Sequence, residues 1–342
     1  MGSRTVKVVQ LKGSGKSTAV QGYGYCYFPS EAVVEGIVVD PQLMAQKVKP
    51  LLKQLGYGSI TAKRVVAGLP AGKTFIRTIQ IPVMAAADLA QAVKFEAEQY
   101  VPVPINDLYL DHEIIGHSKN AKGDKEHMDV LMVAAPRAIV DSYIKLFDFM
   151  GLEAAAVESN MTAVVRAIMH SGEQLQSTLV IDIGSESTDL TIFDKVVPLT
   201  GSVAIGGEHF TLSLVKALSV QPDQATEIKV KFGIAESDFK DKVLAALEPD
   251  FKTMIKEAKR VLKFYQERAE HQPKVASVVI AGGSARMPGL ADYMQKELGL
   301  PLVVANPWNH LVSNKVQEAT KKDAPMFTTA VGLALREEPK HG

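Results

Sequence analysis

The sequence predicts an α/β fold built from two related halves. Strand-like and helix-like segments alternate along the 342 residues, which is typical of sheets covered by helices. A strand, a glycine-containing polar turn and a second strand occur near residue 1, and the same order returns near residue 180. Hydrophobic residues make up 46% of the chain and charged residues 22%, so both halves have enough apolar material for a core.

The elements of the first half follow from hydrophobic periodicity and from turn residues. A β-hairpin is predicted from residues 6–11 and 19–28, because tyrosines alternate with small or apolar residues in the second segment. Further helices are predicted at residues 41–55, 87–100 and 136–150, strands at 64–68, 73–81, 108–115 and 128–135, and an exposed polar loop at 116–125.

The second half is predicted by the same criteria to be a strand-rich core covered by helices. Its strands are predicted at residues 178–183, 190–193 and 275–281, and its helices at 208–218, 237–247, 251–270, 290–298 and 324–335.

Composition and charge exclude several classes of protein. The 38 basic and 38 acidic residues cancel, which excludes a generally basic nucleic-acid binder and a polybasic membrane anchor. Cys26 is the single cysteine, which fits a reducing compartment. No apolar run approaches the roughly 20 residues of a membrane-spanning helix. We therefore expect a cytoplasmic protein that depends on a partner for any membrane attachment.

The segment Lys12–Thr18 looks like a phosphate-binding P-loop but lacks its context. A P-loop needs a glycine five residues before Gly15, where this chain has Gln10. It also needs a following helix whose free N–H groups face the phosphate, whereas a strand is predicted here. We interpret this segment as a hairpin turn.

The segment Asp182–Asp189 is a stronger candidate for phosphate binding. An acid ends a buried strand, and a short polar turn leads directly into the next strand. Such a turn can direct backbone N–H groups and hydroxyls at a phosphate, while Asp182 holds magnesium through water. These residues alone fit an ordinary hairpin with one buried acid equally well.

Two glycine pairs are further candidates. Gly282 and Gly283 follow an apolar strand, where glycine lets the backbone approach a ligand closely. Gly206 and Gly207 precede a predicted helix. A plain loop between a strand and a helix is the alternative in each case.

The order of these motifs resembles the fold of actin and of the heat-shock chaperone ATPases. In that fold, residues 182–189 correspond to the second phosphate motif, 281–289 to the adenosine motif and 330–334 to the second connecting helix. Segments 205–207 and 225–233 are similar to the FtsA branch. That resemblance implies that Gly206, Gly207 and Lys229 lie beside the ribose and base of a nucleotide.

Segments 77–82, 95–104, 110–111 and 306–308 are very similar to the PilM family of type IV pilus assembly proteins. This resemblance implies an ATP-binding cytoplasmic adaptor with a role in twitching motility. Its partner would be the cytoplasmic N-terminal tail of the inner-membrane protein PilN, and it would link the alignment complex to the motor ATPases at the inner face of the inner membrane. Self-association stays open.

The resemblance also implies a domain division and a set of site residues. We expect a first lobe of residues 1–155, an inserted α+β subdomain within it at about 65–135, and a second lobe of residues 156–342. Gly2–Lys7 matches the first phosphate motif after its aspartate, so the first strand is expected to be missing. The residues expected to bind ATP and Mg²⁺ are Ser3, Arg4, Thr5, Asp182, Gly184, Ser185, Glu186, Ser187, Thr188, Gly206, Gly207, Lys229, Gly282, Gly283, Ser284 and Arg286.

Departures from the family pattern concern catalysis. Glu186 occupies a position that is often glycine, so its carboxylate should point away from phosphate or share the metal. Glu158 resembles the acid near the attacking water at the first connecting helix, although a solvated carboxylate at a helix start is the alternative. We therefore expect slow or absent hydrolysis. The runner-up function is an FtsA-like ATPase or filament in cell division; a sugar kinase using Asp111 ranks lower.

Overall fold

The computed structural model describes residues 1–119, 126–171, 177–193, 199–268, 274–309, 311–312 and 322–336. The elements of the first half alternate as predicted. They are β1 (Thr5–Lys12), β2 (Ala19–Tyr27), β3 (Val33–Val34), β4 (Ile37–Val38), α1 (Pro41–Lys53), β5 (Tyr57–Gly58), β6 (Arg64–Leu69), β7 (Phe75–Pro82), α2 (Ala86–Tyr100), β8 (Leu108–Lys119), β9 (Glu126–Pro136), α3 (Arg137–Met150), β10 (Glu153–Ser159) and α4 (Asn160–His170).

The second half continues the alternation. It contains β11 (Thr178–Ile183), β12 (Thr188–Phe193), β13 (Leu199–Val203), α5 (Gly207–Leu218), α6 (Pro222–Lys231), α7 (Lys240–Arg268), β14 (Ser277–Ala281), α8 (Leu290–Leu298), β15 (Leu302–Val304) and α9 (Thr328–Ala334). Among the described residues no helix is long and apolar enough to cross a membrane.

The N-terminal hairpin is confirmed. β1 and β2 pair antiparallel with Thr5 opposite Tyr27 and Lys7 opposite Tyr25, and β5 adds to the free edge of β2. The turn contains one short 3-10 helix at Gly15–Ser17 and leads into β2. Because a strand follows this turn, the segment cannot form the helix N-terminus that a P-loop requires.

A three-stranded sheet in the order β7-β9-β8, together with α2, forms a unit with its own core. Ile79, Val93 and Met132 are buried at the centre of that core. The predicted loop at 116–125 is wrong at its start, because residues 116–119 continue β8 past a bulge between Ile114 and Gly116. Pairing with β9 thus outweighs the preference of the glycine and polar residues there for a loop. Residues 120–125 lie outside the part of the chain that the structure describes.

The second half centres on a five-stranded sheet in the order β13-β12-β11-β14-β15. β11 runs antiparallel to β12 and parallel to β14, with Asp182 opposite both Asp189 and Ala281. Because parallel strands end at the same edge of a sheet, the turns after β11 and β14 meet. Helices α5, α7 and α8 cover one face of this sheet around buried Ile181, Phe210 and Phe251.

The structure corrects three predicted boundaries. Residues 237–247 and 251–270 are predicted as two helices, but one 29-residue helix, α7, runs through this region with Pro249 inside it. A proline removes one helical hydrogen bond, but Leu247 and Phe251 on either side are buried in the core, and this packing outweighs the loss. The predicted final helix is a 3-10 turn at Ala324–Phe327 followed by α9.

The third correction concerns Glu158, which lies near the end of β10 instead of starting a helix, because residues 153–159 pair in parallel with β6. The first residue of α4 is Asn160. The predicted lobe boundary at residues 155 and 156 falls inside β10 and stays a prediction.

The C-terminal segment packs against the first half. Buried Trp308 and Phe327 contact Tyr23 of β2, with ring centroids 5.3 Å and 5.5 Å from that tyrosine. α9 lies against α4 so closely that a Cβ on Gly332 would be 1.8 Å from the carbonyl oxygen of Ala163. The two halves are therefore joined by the packing of the C-terminal segment on the first half as well as by β10 and α4.

Candidate functional site

The carbonyl oxygen of Gly184 is the point at which three sequence motifs meet. It accepts a hydrogen bond from the backbone N–H of Gly207 at 2.9 Å and another from the hydroxyl of Ser284 at 3.1 Å. The N–H of Gly184 donates to the carbonyl of Ser187 at 2.9 Å, which closes the polar turn between β11 and β12. The structure therefore brings together the turn and both glycine pairs, which are far apart in sequence.

The start of α5 is held against this turn by close backbone approach. The N–H of Glu208 donates to the carbonyl of Ser185 at 2.8 Å. A Cβ on Gly206 would be 2.6 Å from the carbonyl oxygen of Ser185, and one on Gly207 would be 2.4 Å from Oγ of Ser284. Glycine is required at Gly206 because any side chain would push the turn away from the helix, whereas a side chain at Gly207 would displace the Ser284 hydroxyl from its place beside the turn.

The glycine pair after β14 has two different environments. Gly282 has φ +88°, and a Cβ there would lie 2.4 Å from Oδ1 of Asp182. Its N–H donates to the carbonyl of Pro325 at 3.0 Å. At Gly283 the nearest atom to an added Cβ is 3.9 Å away, on Met326. Gly282 is therefore a packing glycine, whereas a Cβ on Gly283 would make only an ordinary van der Waals contact.

Asp182 is the acidic centre of the site. Burial, together with the facing carboxylate of Asp189, raises the pKa of its carboxyl to about 7, and the ammonium of Lys7 opposes both effects. Asp189 also has a raised pKa because of burial, although the hydroxyl of Ser202 donates to its Oδ1 at 2.7 Å. A divalent cation at this position would stabilise the ionised carboxylates.

Lys7 is a site residue that the sequence interpretation missed. Burial lowers the pKa of its ammonium, Asp182 raises it and Arg286 lowers it, so its charge faces residues of the second half. Its Nζ donates to Oγ1 of Thr5 at 2.7 Å. The available signal was strand alternation, which places Thr5 and Lys7 on one face of β1.

Lys229 and Arg286 add further positive charge. Nζ of Lys229 donates to the carbonyl of Gly207 at 2.6 Å and to Oγ1 of Thr211 at 2.7 Å. The pKa of Lys229 is lowered to about 8, chiefly by burial; Glu208 raises this pKa, and Arg286 lowers it. Arg286 itself forms an ion pair with Asp323. The charges of Lys7 and Lys229 are each coupled to that of Arg286, so these three cations lie near one another at the meeting point of the motifs.

The remaining predicted residues lie in the segment that leads into β1 or at the turn between β11 and β12. Arg4 pairs with Glu208 of α5, so the two halves meet there through opposite charges. Thr188 is buried and donates to the carbonyl of Ile205 at 2.7 Å, which holds the turn in place. Ser3, Ser185 and Ser187 are partly exposed, whereas Glu186 is exposed at the turn.

Glu158 lies in a different environment from the other predicted residues. Arg166 binds both of its oxygens, at 2.6 Å and 2.8 Å, and Arg336 binds Oε2 at 2.6 Å. The side chain is only 7% exposed, so the alternative of a solvated carboxylate is wrong. Arg166 also donates to the carbonyl of Gly332, which ties this ion-pair cluster to α9.

Two halves with facing polar turns, a half-buried acid at a strand end and two connecting helices define an actin-like ATPase fold. The family model for type IV pilus assembly protein PilM matches residues 1–338, and the chain belongs to this family. A solved structure described as the PilM-PilN type IV pilus biogenesis complex has a TM-score of 0.81 and 26% identity, covering 98% of this chain and 96% of that chain.

More distant relatives share the same fold. Cell division protein FtsA of Enterococcus hirae is 24% identical over 97% of this chain and 80% of its own length. The structure of MreB 5 of Spiroplasma citri bound to AMPPNP has a TM-score of 0.50 and 12% identity, covering 95% of this chain and 94% of that chain. At this level of identity the MreB likeness establishes the fold alone.

Proposed function

We propose that this type IV pilus assembly protein binds Mg²⁺-ATP between its two halves and acts as an adaptor whose partner affinity depends on the nucleotide. The observation that carries the proposal is the junction at the Gly184 carbonyl, which brings the polar turn together with both glycine pairs, close to Asp182 and to three neighbouring cations. Nucleotide bound to an MreB of the same fold supports it.

The residues present fit this ligand. Ser3, Arg4, Thr5 and Lys7 from the first half would face the phosphates together with residues 184–188 from the second. Gly206, Gly207, Lys229, Gly282, Gly283, Ser284 and Arg286 would border the adenosine. Asp182 would hold Mg²⁺ through water, because that ion takes one or two carboxylates together with phosphate oxygens. Bound Mg²⁺ would supply charge neutralisation between Asp182 and the phosphates.

Hydrolysis is not part of this proposal. Glu158 is the candidate base, and both of its oxygens accept hydrogen bonds from arginine side chains. A carboxylate in this setting is poorly placed to take a proton from water. The role we propose for ATP is to bring the two halves together, so that the bound state is favoured by its contacts to both.

The proposed partner is the cytoplasmic N-terminal tail of a PilN-type membrane protein. The support is the solved PilM-PilN complex, which contains a chain that matches this one along almost its whole length. Binding that tail would hold this chain at the inner face of the inner membrane and connect the alignment complex to the motor ATPases. An FtsA-like role in cell division is the alternative, supported by the FtsA relatives.

Calorimetric titration tests the nucleotide site. We expect Mg²⁺-ATP to bind the wild-type chain and to lose at least about tenfold in affinity in Asp182→Asn, since the metal loses its carboxylate. Asp111→Asn, an exposed acid of β8, is the matched control and should bind as the wild type does. If Asp182→Asn binds normally, the proposed site is wrong. Binding of a PilN-tail peptide, measured with and without ATP, tests the adaptor role separately.

A further inference from the structure

A cavity lies on the second half, apart from the residues of the candidate nucleotide site. It has a volume of about 290 Å³ and lies where α7 meets α8. Its lining consists of Lys252, Ile255, Lys256, Lys259, Tyr293 and Glu297. None of these residues belongs to the site described above, so the cavity needs its own explanation.

The lysines form a stripe on the exposed face of α7. Lys252, Lys256 and Lys259 are spaced four and three residues apart, which places them on one side of a helix, and Lys263 extends the same line. Lys252 pairs with Glu248 at 3.1 Å and Lys263 with Glu267 at 3.7 Å. Among the described residues no carboxylate lies within 4.0 Å of Lys256 or Lys259, so the middle of the stripe carries unpaired charge.

The floor of the cavity is apolar. Ile255 is only 5% exposed. The ring of Tyr293 packs against Phe251, with centroids 5.2 Å apart. Glu297 supplies one acid at the rim. The cavity and the lysine stripe beside it, called the lysine groove below, therefore combine an apolar base with two free ammonium groups along one edge. A docking site for an amphipathic peptide needs both features.

We infer that this lysine groove docks an acidic amphipathic segment of a protein partner. Carboxylates of the segment would pair with Lys256 and Lys259, and one apolar side chain would fill the cavity. Sites for small molecules span roughly 300–1,000 Å³, and about 290 Å³ lies at the lower end of that range, so the free lysines along one edge, not the volume, favour a peptide with carboxylates.

The same features disfavour a membrane or a nucleic acid as the occupant. Both present dense negative charge on a broad surface, whereas the unpaired positive charge here is confined to Lys256 and Lys259, with Glu297 at the rim and Lys252 already paired with Glu248. A concave, partly apolar groove is better matched by a peptide that places acids on one edge only. The chain as a whole carries no net charge that would attract a polyanion.

Fluorescence anisotropy with two labelled peptides tests the inference. Both peptides have the same length and composition. In the first, the aligned peptide, glutamates stand at i, i+4 and i+7 beside one phenylalanine. In the second, the same glutamates are scattered around the helix. We expect the aligned peptide to bind at least about tenfold more tightly, with an affinity that falls as salt rises. Lys256→Gln/Lys259→Gln should abolish this difference, and Lys256→Arg/Lys259→Arg should retain it.

A matched control removes the same charge elsewhere. Lys47→Gln/Lys49→Gln changes two exposed lysines of α1 and should leave peptide affinity unchanged. Thermal melts of each variant confirm that the fold is intact. Equal affinity for the two peptides, or binding to neither, overturns the inference. Lysine-dependent sedimentation with phosphatidylserine vesicles in preference to the aligned peptide would also overturn it, in favour of a lipid surface.

Discussion

Nη2 of Arg4 lies 2.8 Å from Oε1 of Glu208, and this ion pair joins the turn before β1 to the first turn of α5. Both side chains are 37% exposed, so the pair contributes at most about 1 kcal/mol to stability. Its larger effect is on the position of the two halves relative to each other. It holds the two halves together at the rim of the candidate site, using an arginine that we place among the phosphate ligands.

Removing the acid of this pair should strengthen nucleotide binding. In Glu208→Gln, Arg4 loses its competing partner and the phosphates lose a repulsive carboxylate. We expect the affinity for Mg²⁺-ATP to rise about three- to tenfold in calorimetric titration, which corresponds to roughly 0.7–1.4 kcal/mol. Glu227→Gln, which removes the exposed pair with Lys231, is the control and should bind as the wild type does. Weaker binding in Glu208→Gln would contradict this account of Arg4.

The raised pKa of Asp182 predicts a pH dependence of stability. Its carboxyl has a pKa of about 7 in the folded chain and 3.8 as its ordinary value, so the folded state binds more protons between these two pH values. The stabilising contribution is complete below about pH 4 and is lost as pH rises to about 7. Urea unfolding of the wild type and of Asp182→Asn across this range should show that their free energies of unfolding differ little at low pH and differ more towards pH 7.

The same pKa predicts how magnesium affinity responds to pH. Mg²⁺ requires an ionised carboxylate, which forms as pH rises through about 7. We expect Mg²⁺-ATP to bind more tightly at pH 8 than at pH 6, and a bound cation to lower the pKa of Asp182. Titrations at both pH values, compared with ATP in the presence of a chelator, check this. An affinity that is independent of pH in the presence of Mg²⁺ would argue against metal at Asp182.

Glu158 should contribute mainly to stability. In Glu158→Gln, Arg166 and Arg336 lose their shared carboxylate, and we expect a loss of about 2–4 kcal/mol in the free energy of unfolding. Glu153→Gln, whose exposed side chain lies 3.8 Å from Arg64 on the neighbouring strand, should cost less than about 1 kcal/mol. Phosphate release measured in parallel separates the roles: loss of hydrolysis with unchanged stability would restore Glu158 as the catalytic base.

The two adjacent glycines after β14 should respond differently to alanine. Gly282→Ala places a Cβ at φ +88° against Asp182, so we expect a lower melting temperature. Gly283→Ala meets nothing closer than 3.9 Å, so the fold should persist while the methyl group weakens ATP binding. Thermal melts combined with calorimetry distinguish the two effects. Equal loss of stability in both variants would show that Gly283 is also required for packing.

Local sequence patterns were sufficient for most elements, and the location of the nucleotide site that they indicate stays a prediction. Helix α8 begins and ends where its periodicity predicts, and Gly151 closes α3 with φ +71° as a C-terminal cap. The acid at the end of β11 and the two glycine pairs indicate turns because the backbone conformation at these positions is locally restricted. The family resemblance then predicts that these turns belong to one nucleotide site.

What the sequence by itself determined were therefore the features set by neighbours along the chain: the α/β class, the hairpin and the motif turns. Tertiary structure alone decided that Lys7 faces Asp182, that Arg4 meets Glu208 and that two arginines bind Glu158. It also decided that α7 continues through Pro249. The physical reason is that burial, ion pairing and core packing join residues far apart in sequence, and their free energies can outweigh local preferences.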